Sequence, residues 1–260
     1  MNDELKELYQ NNWVELLKNA KTLNTNAANP LLIKVDEDYI NSEIKVMIVG
    51  QETDGWHGKL NLANKSVDDL MRGYFDYFYK NSKNGKERGK RAFWNKKNYS
   101  YFESELTKYF INKDKTISFI WNNISKIGNA GRGQPNKEIL NLERACFNVL
   151  KKEFDILNPD IVIFTTGKRD SYIKHHFGKN TEFTPVLYLK DNILLKETLP
   201  LIAKVIIPDR KNICSVRVEH PNRRTLHNSI IVNLIKEIWE NNEKHNRVAK
   251  GILPSVPTTP

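Results

Sequence analysis

Four short apolar runs, Ile44 to Val49, Ile117 to Trp121, Ile161 to Thr165 and Ile213 to Val218, are rich in β-branched residues and stop at polar or glycine-bearing turns. A strand covered on both faces has no need of polar alternation, so these runs read as buried parallel strands. Between them apolar positions recur at helical spacing, over Asp3 to Ala20, Ser66 to Tyr79, Tyr101 to Ile111, Lys137 to Leu157 and Thr225 to His245. Strand alternating with helix predicts an α/β fold, a parallel sheet covered by helices. Ligands of such sheets gather at the carboxyl ends of the strands, where several loops meet in one crevice.

At 260 residues the chain is long enough for one substantial core. Residues 1–250 are expected to form a single domain. Residues 251–260, with three prolines and no charge, suit a flexible tail. The apolar runs fall far short of the roughly 20 residues of a membrane span, and the amino terminus is polar and acidic, so a cytoplasmic, monomeric protein is expected. Cys146 and Cys214 are the only cysteines. They cannot supply a four-cysteine zinc or iron–sulfur site, so no metal or other cofactor is expected. A net charge of +10 favours a polyanionic partner, nucleic acid being the commonest. Much of that charge lies in Lys80 to Lys97, where Lys86, Arg88, Lys90 and Arg91 crowd around two glycines. His175 and His176 are adjacent on a helix, and adjacent helix positions do not face one another. They read as surface residues rather than a ligand pair.

Three strand ends carry chemistry. After the first comes Gly50-Gln51-Glu52-Thr53-Asp54-Gly55-Trp56-His57-Gly58, where carboxylates that could place a water stand beside a tryptophan that could wall a base. Such acids can equally cap a following helix. The second strand runs into Asn122-Asn123-Ile124-Ser125-Lys126, and an asparagine amide offers both donor and acceptor to a base edge, though it can also serve a turn. The fourth runs into His220-Pro221-Asn222-Arg223-Arg224, a stiff turn with a histidine that can donate to a leaving base and two arginines after it. Phe93 closes the basic segment and can stack a base while cations hold phosphates, or simply belong to the core.

In this order the three motifs resemble those of the uracil-DNA glycosylase superfamily. The first is similar to Gly-Gln-Asp-Pro-Tyr-His-Gly, the second to the Asn-Val-Val-Lys of the iron–sulfur branch, and the last to His-Pro-Ser with its wedge loop. The likeness extends through Leu157-Asn158-Pro159-Asp160 and Gly167, and the cluster cysteines of that branch are missing here. The resemblance implies a three-layer αβα fold around a central four-stranded parallel sheet, and a monofunctional enzyme that hydrolyses the glycosidic bond of a base flipped out of DNA. It implies that Glu52 or Asp54 positions water and Asn123 reads the base beside Gln51 and Trp56. Phe93 would stack, and His220 would stabilise the departing base. Lys86, Arg88, Lys90, Arg91, Lys126, Asn222, Arg223 and Arg224 would hold DNA. Counting directly from Gly50 places Asp54 where the family has a tyrosine that crowds carbon 5 of uracil, whereas matching the His-Gly pair places Trp56 there. A catalytically silent DNA-binding relative and a hydrolase of free nucleosides or nucleotides are the rival readings.

Overall fold

The structure is a computed structural model that describes residues 1–22, 26–60, 65–80, 93–94, 98–131, 133–186, 189–190, 193–194, 202–221 and 228–249. Strands β1 (Ile44–Gly50), β2 (Ile117–Asn123), β3 (Ile161–Phe164) and β8 (Cys214–Arg217) are parallel, in the order β2-β1-β3-β8. Two further strands, β7 (Ala203–Ile206) and β4 (Glu182–Pro185), continue the sheet antiparallel beyond β8, and β5 (Leu189–Lys190) pairs with β6 (Ile193–Leu194) apart from it. The sheet is therefore six-stranded and mixed, where the sequence led us to expect four parallel strands. Helices lie on both sides of it. None of the described helices is long and apolar enough to cross a membrane.

The parallel strands are buried almost throughout, as their unbroken apolar runs require; β3 is covered at every position. The covering helices are α1 (Asn2–Thr22), α2 (Glu37–Asn41), α3 (Val67–Phe75), α4 (Tyr99–Ile111), α5 (Lys137–Cys146), α6 (Leu150–Leu157), α7 (Asp170–Phe177) and α8 (Asn228–Ala249). Several starts are written in side chains. Ser66 and Asp69 form a reciprocal capping box on α3, and the Asn136 carboxamide oxygen accepts from Ile139 N at 2.9 Å on α5. The single helix expected over Lys137 to Leu157 is broken at residues 147–149 without glycine or proline. Phe147 and Val149 are both buried there, and core packing overrides the helical pattern.

Beneath the sheet lies a polar network. Glu153 on α6 accepts from the Tyr9 hydroxyl (2.6 Å) and Asn122 Nδ2 (3.0 Å) and pairs with Lys126 Nζ (2.8 Å), which also donates to Asn122 Oδ1 (2.7 Å). Lys126 is 0% exposed. It cannot meet a phosphate from there, which corrects its assignment to the DNA surface: the strand's end turns it inward to a carboxylate. Burial pulls its pKa down against the opposing pull of Glu153.

The loop after β2 is held from two more sides. Glu143 accepts from Lys126 N and Ile127 N, both at 3.0 Å, and burial raises its pKa to about 7. His176 Nε2 donates to Ile124 O at 2.9 Å, with Asn148 against its other ring nitrogen. His176 is thus a buried residue, not the surface one expected from sequence. Burial pushes its pKa down to about 3 from 6.5, so its contribution to stability is complete above pH 6.5 and is lost as pH falls toward 3. Glu143, raised rather than lowered, works in the opposite sense between pH 7 and 4.5. The informative quantity is therefore a difference between proteins. From pH 7 to pH 5 the wild type should lose about 2 kcal/mol more than His176→Gln in urea denaturation, and parallel losses would show that His176 is not held neutral.

Candidate functional site

Because β1, β2, β3 and β8 run the same way, the loops that leave them open onto one rim. Their registers bring Gly50 opposite Asn123 and Phe164 opposite Val49 and Arg217. The exits interlock further, with Ile124 N donating to Gly50 O and Ser125 N to Gln51 O, both at 2.9 Å, and Gly167 N to Val218 O at 3.0 Å.

Side chains alternate across a strand, so Asn122 and Asn123 part company. Asn122 belongs to the buried network described above. Asn123 shares its face with Trp121, whose indole Nε1 donates to Asn123 Oδ1 at 3.0 Å. An indole N–H can only donate, so the amide oxygen must face it and Nδ2 must turn the other way. Asn123 is 1% exposed and its Nδ2 has no hydrogen-bond partner among the described residues. A buried donor without a partner costs roughly 1–3 kcal/mol unless something supplies an acceptor.

Gly50 leaves the room for this arrangement. A Cβ there would stand 2.6 Å from Asn123 Oδ1, closer than real Cβ atoms come, and 3.2 Å from the Phe93 ring, which would have to give way. Phe93 is half-buried, its ring centroid 6.2 Å from Trp121 and 5.8 Å from Tyr99, and its carbonyl accepts from Tyr99 N and Asn98 Nδ2. Trp56 stands edge-on to Trp121 at 5.6 Å and to Tyr77 at 5.5 Å, with a buried Nε1 that also has no partner among the described residues. Asn123 therefore sits among aromatic faces contributed by three separated segments.

The polar members occupy the neighbouring loops. Gln51 Nε2 donates to Thr166 O at 2.9 Å. Glu52 is gripped through both carboxylate oxygens by Arg169, whose guanidinium also lies over Tyr172 at 5.3 Å. His220 is half-buried against Gly167, where a φ of +62° favours glycine over residues with a Cβ. Asp54 is exposed and its backbone bridges Asn129. Gln51, Glu52, Trp56, Phe93, Asn123 and His220 thus lie on or beside the loops of one rim. Lys86, Arg88, Lys90, Arg91, Asn222, Arg223 and Arg224 lie outside the described residues.

Sequence reasoning passed over Arg169, which stands two residues after Gly167. It also passed over Trp121 as part of the site, although its i, i+2 spacing from Asn123 put the two on one face. Among the described residues no three of His, Cys, Asp or Glu are placed to hold a metal ion. The arrangement offers a flat ligand aromatic contact and one committed donor, with a carboxylate and a histidine on adjacent loops. No protein-family model matches this chain, and no curated protein does either.

Proposed function

We propose that this protein is a DNA glycosylase that hydrolyses the bond between sugar and base at a uracil or modified pyrimidine flipped out of the helix. The observation that carries this reading is the buried Nδ2 of Asn123, unpartnered among the described residues, beside Phe93 and Trp121 at the carboxyl rim of the parallel strands. A base edge would satisfy that donor, and pocket contacts would offset the few kcal/mol that flipping costs. Phe93 stacks on the base in this reading. Trp56, packed on Trp121, stands where it can close the carbon-5 edge, whereas Asp54 is turned to solvent. Glu52 or Asp54 directs a water at the sugar's anomeric carbon as the glycosidic bond breaks with its electrons on the base; His220 steadies the resulting anion, which takes up the proton that the water gives up. The net charge of +10 supports a polyanionic substrate.

The test is a set of labelled duplexes that differ at one base, treated with alkali after incubation to reveal abasic sites. Release of uracil or a 5-substituted pyrimidine by the wild type is the expected result, and Glu52→Gln and Asp54→Asn assign the carboxylate. The grip of Arg169 on Glu52 favours a second reading, DNA binding without cleavage, since that carboxylate already has a partner. Tight binding with no abasic site from any duplex would establish it. Release from free nucleosides alone would replace both.

A further inference from the structure

We propose that Trp121 is the positioning residue that orients Asn123, turning its amide N–H group away from the indole and so selecting a base edge that presents a carbonyl oxygen over one that presents an amino group. The inference takes its ligand from the glycosylase reading, but its geometry stands without it. An asparagine amide left to itself can turn over, offering oxygen or nitrogen to a base with equal ease. Here one end is fixed, because the Trp121 indole N–H reaches Oδ1 at 3.0 Å and has no means of pairing with Nδ2.

Trp121 is itself held hard. It is 7% exposed, its ring lies nearly parallel to Tyr74 at 6.0 Å and meets Trp94 edge-on at 5.0 Å. The Tyr74 hydroxyl donates to Trp121 O at 2.7 Å and accepts from Trp121 N at 3.1 Å. A chain of fixed contacts therefore runs from α3 through Tyr74 and Trp121 to Asn123, and ends in a buried donor with nothing to bond. Turning the amide over would leave the indole N–H facing an N–H group, so the selectivity is built into the protein before any ligand arrives.

Trp121→Phe keeps an aromatic ring in place but removes the donor together with some bulk, a loss of bulk that Trp94→Phe matches. In duplexes identical but for one base, the ratio of uracil to cytosine release, or of their binding, should fall at least about tenfold in Trp121→Phe, one good hydrogen bond's worth. Trp94→Phe trims the same aromatic cluster without touching the amide and should leave the ratio as it is. An unchanged ratio in Trp121→Phe, or an equal fall in Trp94→Phe, overturns the proposal. A second measurement needs no substrate: the Trp121 indole proton should shift upfield in the NMR spectrum of Asn123→Ala. An indole signal that ignores Asn123 also overturns the proposal. If it shifts and no duplex loses a base, the glycosylase reading has failed and the clamp has not.

Discussion

In Asn123→Ala, release of base from DNA is expected to drop about a hundredfold or more, while affinity for duplex DNA changes little. Two different sources of free energy are involved. Affinity for DNA comes mainly from cations meeting phosphates, which this substitution leaves alone. The chemical step depends on donors already aimed at the place where charge develops, and losing one such group typically costs about 10²–10³ in rate. Asn123 Nδ2 is buried, unpartnered and held in direction, the condition under which a donor counts most. Asn122→Ala makes the contrast, for it should weaken the fold through Glu153 and Lys126 rather than remove the reading group. Circular dichroism separates the two outcomes. Full activity in Asn123→Ala with a folded but inactive Asn122→Ala would reverse their roles and sink the assignment.

Lys126→Met is expected to cost about 3–5 kcal/mol of stability by urea denaturation, the usual penalty for stranding one partner of a buried pair. Glu153 would keep the Tyr9 hydroxyl and Asn122 amide but lose the cation that sits 2.8 Å from it. The double variant Lys126→Met with Glu153→Gln should recover much of that loss, since no lone charge then remains inside. A single-variant loss under about 1 kcal/mol would mean that water reaches this network. The same comparison tests the correction made to Lys126: a phosphate-binding lysine at the surface would affect the salt dependence of DNA binding and leave the denaturation midpoint alone.

The parallel strands were legible because burial on both faces leaves a plain mark, the uninterrupted β-branched run. The rim followed from them, since consecutive parallel strands must deliver Gly50, Asn123 and His220 to the same edge. The antiparallel strands β4 and β7 were not read. In β4, Glu182 to Pro185 is solvated and short of apolar residues, so only pairing with β7 makes it a strand. Asn123 was separable from Asn122 only by family likeness until the strand's alternation placed one of them inside the Glu153 network. The inward turn of Lys126 had no local signal at all, because its partner comes from α6, some distance along the chain. The exposed backbone-bridged Asp54 and the packed Trp56 likewise depend on how the loop after β1 folds over Trp121, which spacing alone leaves open.

The contacts that Tyr74 makes to the backbone of Trp121 bear on the company this protein keeps in concentrated solution. Among the described residues, strand β2 lies at the border of the sheet, with β1 on one side and no strand on the other. A border strand with open N–H and C=O groups is a template on which a second molecule can lay a strand of its own, the first step toward clumping. The phenol hydroxyl occupies one such pair of groups, taking the role that another molecule's peptide would fill. The strand that carries the proposed reading group is therefore guarded at Trp121 by a side chain, which bonds as a neighbouring strand would but cannot propagate.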